Sequence, residues 1–175
     1  MALPAREPGA AVTLRLAQVS DVDQIRSTLA AAAAELTARF GAGHWSRVRM
    51  RETLQKYVEQ GTLYVIEASG IAIGTLRLVD RKIPFYRGEW FADPKARAGY
   101  LLDMAIDRPH QRRAHGRAAV GAIEVIARSR GMQAVRLDAY TGPAGAGLFY
   151  LKCGYRLVHR GEFNGIGLEY FEKPI

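Results

Sequence analysis

Between Ile106 and Ala118 an apolar segment runs into a basic turn and straight out into a helical pattern, Ile106-Asp107-Arg108-Pro109-His110-Gln111-Arg112-Arg113-Ala114-His115-Gly116-Arg117-Ala118. That geometry makes an anion site. The first backbone N–H groups of a helix have no partner inside it and carry the positive end of its dipole, so main chain alone can hold a phosphate there. Arg108, His110, Arg112, Arg113, His115 and Arg117 crowd the turn, and Gly116 lets a ligand approach the backbone closely. Just upstream, Asp103 is an acid inside an otherwise apolar strand. Unpaired burial would be costly, so it either faces a wet cleft, as a base or an anchor for a cationic amine, or sits in a plain salt bridge. The segment Asp80 to Ala98 mixes chain breakers with Phe85, Tyr86, Trp90 and Phe91 and has no steady period. Long irregular segments are often functional. Tyr86, Glu89 and Trp90, with Asp93, would suit an ammonium group by π surface and negative charge; the alternative is that these aromatics only plug the core.

The turn Gln111-Arg112-Arg113-Ala114-His115-Gly116 resembles the pyrophosphate loop of the GCN5-related N-acetyltransferases, Gln/Arg-x-x-Gly-x-Gly/Ala, with Ala114 where the first glycine is usual. A second segment resembles the same family: Arg136 to Tyr140, the turn Thr141-Gly142-Pro143, then a helix ending Tyr150-Leu151-Lys152-Cys153-Gly154-Tyr155, similar to Tyr-x-Lys-x-Gly-Phe/Tyr. Pro143 stands where the family often has an asparagine. The resemblance spans Thr13 to Lys173 and implies acetyl-CoA as cosubstrate. It implies that the loop Gln111, Arg112, Arg113, Ala114, His115 and Gly116, with Arg117 and Ala118, holds the pyrophosphate. Backbone N–H groups of Met104, Ala105 and Ile106 would receive the pantetheine arm and polarise the acetyl carbonyl. Tyr150 would return a proton to the leaving thiolate, which a phenol can do and an ionised carboxylate cannot. A core tyrosine beside Phe149 is the structural alternative, with Tyr140 as another donor. For the base, Asp103 stands beside water as the alternative proton carrier.

These residues need a scaffold. Val12 to Leu16 alternates like a strand, and Ser20 to Asp23 opens a helix with Val22, Ile25, Leu29, Ala32, Leu36 and Phe40 on its apolar face. A second helix is expected from Arg47 to Gln60, then strands Thr62 to Ala68 and Ile71 to Val79 around Ser69-Gly70, with Gly74 marking a bulge. Tyr100 to Ile106 reads as a strand covered on both faces. The helix Arg117 to Arg130 puts Arg117, Gly121, Glu124 and Arg128 on one polar stripe. Strand Ala134 to Ala139, helix Ala144 to Lys152 and strands Tyr155 to His159 and Ile166 to Phe171 complete the chain. This order matches that of the resembled family, an α/β (α+β) fold with a mixed, mostly antiparallel sheet of about seven strands and helices on both faces. A lead over Met1 to Ala11 and one domain from Val12 to Ile175 are expected.

Composition narrows the function. No apolar run approaches the roughly 20 residues needed to cross a bilayer, and the lead carries no apolar signal region. The single cysteine, Cys153, allows no internal disulfide and fits a reducing cytoplasm. It reads as a buried small hydrophobe rather than a nucleophile. The four histidines form no ligand pair, so no metal is expected. The net charge of +8 would suit nucleic acid, but its clustering at one helix start favours a small polyphosphate, and no nucleic-acid partner is expected. The expected activity is an acetyl-CoA-dependent N-acetyltransferase, passing the acetyl group directly to a primary amine, small molecule or peptide, in a ternary complex. A noncatalytic acyl-CoA-binding domain is the alternative. The family's frequent dimers leave a homodimer open.

Overall fold

A computed structural model describes residues 11–175, so all of the expected lead except Ala11 lies outside the described residues. Strands β1 (Val12–Leu16), β2 (Leu63–Ala68), β3 (Ile71–Val79), β4 (Ala98–Ile106), β5 (Ala134–Tyr140), β6 (Arg156–Phe163) and β7 (Ile166–Pro174) form one sheet, in the order β1-β2-β3-β4-β5-β7-β6. Every neighbouring pair is antiparallel except β4–β5. A parallel pair needs a crossover. Here α3 (His115–Ser129) supplies it, while α1 (Val22–Phe40) and α2 (Arg51–Glu59) fall between β1 and β2 and α4 (Gly147–Lys152) between β5 and β6. The sheet is the mixed, mostly antiparallel one expected.

Side-chain alternation sorts the strands onto two faces. Tyr64, Ile66, Val135, Leu137 and Ala139 pack with Val120, Ile123 and Ala127 of α3 and Tyr150 of α4. On the opposite face Leu63 and Val65 pack with Val22 and Ile25 of α1 and Leu54 of α2, and Ala134 packs with Tyr86 and Phe91. Helices therefore cover both faces, and Asp138 and Tyr140 of β5 belong to the second.

Several expectations need correction. The stretch Arg47 to Met50 is not helical: α2 starts at Arg51, after an N-cap Met50 in extended conformation. Glu124 is not on a solvent stripe. It is buried, and Lys173 Nζ of β7 reaches its Oε2 at 2.8 Å. Strands β6 and β7 are longer than expected and turn at Asn164-Gly165, both at positive φ as a two-residue hairpin prefers. Beside Gly74, Ile73 is the extra residue opposite Ile66 and Glu67, so a bulge does occur there. A Cβ at Gly74 would lie 2.4 Å from the Ala105 carbonyl oxygen, so only glycine lets β4 come this close.

Two features of β4 make the site. Its pairing with β5 runs only from Ala98↔Ala134 to Tyr100↔Arg136; beyond that the strands diverge. On its other edge Thr75 faces Ala105 and Arg77 faces Leu102, so Leu76 meets both Asp103 and Met104 in a bulge, with Asp103 at φ +49°. The second half of β4 is thus only half-buried, against the expectation of a strand covered on both faces.

Candidate functional site

The divergence of β4 from β5 opens two cavities that share Leu36, Met104, Ala146 and Tyr150 in their walls. The larger, about 730 Å³, runs from the C-terminal half of β4 over the basic turn. Ala32, Glu35, Leu36 and Arg39, one stripe of α1, close its side. Ala32 and Leu36, expected to face the core, face this cavity. The smaller, about 450 Å³, lies between Leu101 to Met104 and Asp138 to Tyr140.

In the basic turn, Gln111 Nε2 donates to the Ile106 carbonyl at 2.9 Å and pins the loop to the end of β4. Arg112 and Ala114 both take positive φ, +59° and +64°, and Ala114 is the N-cap of α3. The left-handed conformation costs a residue with a Cβ roughly 1–2 kcal/mol, which explains why a glycine is usual here. Among the described residues the N–H groups of Arg112 to Arg117 have no backbone partner; Ala118 is the first to donate, to Ala114 at 3.1 Å. The result is a concave run of free donors at a helix start, an anion cradle. Buried His115 sets Nδ1 3.1 Å from the His110 carbonyl and so donates to it from beneath the turn. Gln111, Arg112, Ala114, Gly116 and Arg117 line the larger cavity; Arg113, His115 and Ala118 do not. A Cβ on Gly116 would sit 3.3 Å from the Phe149 ring, so a larger residue there must intrude on cavity or ring.

Met104, Ala105 and Ile106 all line the larger cavity. Asp107 donates its N–H to Ile73 on β3 at 2.8 Å. Successive N–H groups of a strand point to opposite edges, so those of Ile106 and Met104 are aimed at the gap left by β5. Where the cavities meet stands Tyr150, 8% exposed and edge-on to Phe149. Burial raises its pKa well above the ordinary phenol value, so it keeps its proton at neutral pH.

The smaller cavity carries two carboxylates in unlike settings. Asp103 Oδ1 accepts from Arg49 Nε and Nη2 at 3.2 and 2.8 Å, and Oδ2 lies 3.4 Å from Arg77 Nε. The salt bridge is therefore observed. Arg77 in turn lies over the Tyr57 ring at 3.7 Å. Asp138 has no such partner: Tyr86 Oη donates to its Oδ1 at 2.5 Å, and burial raises its pKa despite that hydrogen bond. Tyr140 completes the wall, with Trp45 of the α1–α2 connection edge-on at 5.5 Å.

Of the irregular segment Asp80 to Ala98, Ile83 and Phe85 line the smaller cavity; Tyr86, Glu89 and Trp90 do not. Tyr86 is buried beneath it, Trp90 stacks on His159 at 4.0 Å, and Glu89 is exposed in a 3-10 turn. Asp93 lines neither cavity; its Oδ1 accepts from the Lys95 backbone N–H and its carbonyl from Arg136. The buried Arg136–Glu172 pair, which also holds Ala92, draws this stretch onto the sheet and away from the cleft. Cys153 lines neither cavity. No group of three or more potential metal ligands occurs among the described residues, and none of their helices is long and apolar enough to cross a membrane. Arg49, Arg77 and Asp138 escaped the sequence reading. The alternation Arg136, Asp138, Tyr140 along β5 was a polar face that could have signalled a cavity.

The sequence model of the Acetyltransferase (GNAT) family matches residues 30–155. No curated protein matches significantly in sequence. Among solved structures the chain is similar to a GNAT-family acetyltransferase from Streptococcus agalactiae, with a TM-score of 0.77 at 18% identity over 94% of this chain and 95% of that one. It is similar to the PaiA N-acetyltransferase from Thermoplasma acidophilum in complex with coenzyme A, TM-score 0.70, 16% identity, over 94% and 99%. A putative acetyltransferase from Salmonella typhimurium with acetyl-CoA gives 0.66 at 18% identity, over 94% of both chains. At such identities the likeness is one of fold.

Proposed function

Because the chain belongs to the GNAT acetyltransferase family, we propose that its two joined cavities hold acetyl-CoA and a primary amine together, with direct transfer between them in a ternary complex. The observation that carries this reading is the meeting of an anion cradle and a carboxylate-bearing cavity at one buried phenol, Tyr150.

The larger cavity suits acetyl-CoA. Unpartnered N–H groups from Arg112 to Arg117, with the side chains of Arg112 and Arg117, match a pyrophosphate in charge and shape. The N–H groups of Met104 and Ile106 face the divergence, where they would orient the pantetheine arm and polarise the thioester carbonyl. An amine in the smaller cavity would then attack at the junction, and Tyr150 would protonate the departing thiolate. Asp103, held by two arginines, shapes the acceptor wall as an anchor. We read residues 12–175 as one catalytic unit.

Steady-state release of free CoA from acetyl-CoA, measured with a panel of primary amines, tests the reading. Amine-dependent release is expected. Tight acetyl-CoA binding without turnover of any amine would make the chain a binder, and binding of nucleic acid that weakens steeply with salt and is not competed by CoA would overturn the assignment of the basic turn.

A further inference from the structure

Resting on the reading of the smaller cavity as the acceptor site, we propose that Asp138 takes the proton from the acceptor's ammonium group before attack, and that Tyr86 is the positioning residue that holds its carboxylate. The cavity has two carboxylates, and their surroundings divide the work. Both oxygens of Asp103 face guanidinium groups of Arg49 and Arg77. Asp138 has no cation beside it among the described residues, and only Oδ1 is engaged, by the Tyr86 hydroxyl. Its second oxygen is left for a donor entering the cavity.

The hydroxyl that holds it is fixed. Tyr86 is 1% exposed, with Tyr100 and Tyr170 edge-on at 5.4 and 5.2 Å and Phe91 stacked at 6.1 Å. Across the cavity Arg49 and Arg77 are engaged by Asp103; the other ionisable groups around Asp138 are Tyr86 from the segment before β4, Asp103 on β4, Tyr140 on its own strand, Tyr150 on α4 and Tyr170 on β7. All but Asp103 are phenols whose pKa values burial raises, so they stay neutral where Asp138 titrates. Burial, with the like charge of Asp103, raises the Asp138 pKa and narrows its gap to an alkylammonium, which makes it a better proton acceptor than an exposed carboxylate.

The protons balance. Asp138 accepts one proton from the ammonium, giving the neutral amine; the nitrogen lone pair forms the C–N bond, and the C–S bond breaks. Its electron pair leaves on sulfur, which takes the Tyr150 phenolic proton. The nitrogen's second proton returns to the Tyr150 phenolate, and Asp138 releases its own to solvent. Amide, free thiol and one proton result.

The test compares two small nucleophiles on the intact enzyme, ethylamine, protonated at neutral pH, and hydroxylamine, largely neutral there. Asp138→Asn keeps the shape and an acceptor for Tyr86. Turnover of ethylamine is expected to fall roughly 10²-fold, the usual loss of a general base, and that of hydroxylamine by less than about tenfold, with acetyl-CoA affinity retained. Equal losses with both nucleophiles, or none with either, would overturn the proposal. Tyr86→Phe should move the acid limb of the ethylamine kcat/KM profile to higher pH, since its hydroxyl favours the charged carboxylate; an unmoved limb would remove Tyr86 from the role. Wild-type enzyme that acetylates neither of these compounds nor any amine of the panel above would instead overturn the transferase reading itself.

Discussion

The two cavities that meet at Tyr150 are built in different ways. The larger draws its anion cradle from consecutive residues, Arg112 to Arg117, and from the edge of one strand, with main-chain N–H groups as its chief donors. The smaller draws side chains from separate places: Arg49 before α2, Arg77 on β3, Phe85 in the following segment, Asp103 on β4 and Asp138 on β5. A main-chain site needs a particular backbone path, which a short motif can encode. A side-chain site needs several distant strands brought to one place.

Variants can separate the two. Gly116→Leu fills the cradle side alone. It should cost two charge-assisted hydrogen bonds of about 1.5–3 kcal/mol each and raise the acetyl-CoA Kd about 10³-fold, read by calorimetry, with circular dichroism unchanged. Undiminished affinity would remove the turn from the cosubstrate site. Tyr150→Phe acts at the junction: kcat should drop roughly 10²-fold, with acetyl-CoA affinity kept, and an unchanged kcat where chemistry limits the rate would pass the proton to Tyr140 or water. On the acceptor side, Phe85→Ala should raise the amine KM by about tenfold, near the cost of truncating a contact aromatic. Trp90→Ala should leave the amine KM alone, because Trp90 packs on His159 outside the cavity. Equal effects of these two variants would erase the boundary drawn here. The smallest change is Ala114→Gly, which relieves the positive φ at the N-cap of α3 but frees the unfolded chain. The net gain should be no more than about 1 kcal/mol, a small rise in Tm, and a fall in Tm would argue against the left-handed turn.

Why the basic turn was legible and the wall of the smaller cavity was not follows from range. Gln111 to Gly116 and Tyr150 to Gly154 are local patterns, and the order of strands and helices could be read from periodicity. Asp103 was visible because an acid in an apolar strand calls for a partner, yet no local rule names Arg49, 54 positions away, or Arg77. Glu124 shows the same limit in reverse: its helical position looked like solvent until Lys173 of β7 closed over it. Trp90 and Glu89 looked like an acceptor site by composition, but Trp90 packs on His159, and the Arg136–Glu172 pair holds the chain at Ala92 and Asp93, so that of this segment Ile83 and Phe85 reach the smaller cavity instead.

By itself, then, the sequence determined the order of the elements and a basic turn at a helix start, because hydrophobic period and helix-start chemistry act within a few residues, while the sheet with helices on both faces was implied by the family resemblance. Only the tertiary structure decided where β4 leaves β5, that Asp103 is held by two arginines while Asp138 has none, and that Tyr150 stands between the two cavities. Those facts depend on register and on contacts between residues dozens of positions apart, which no local pattern carries.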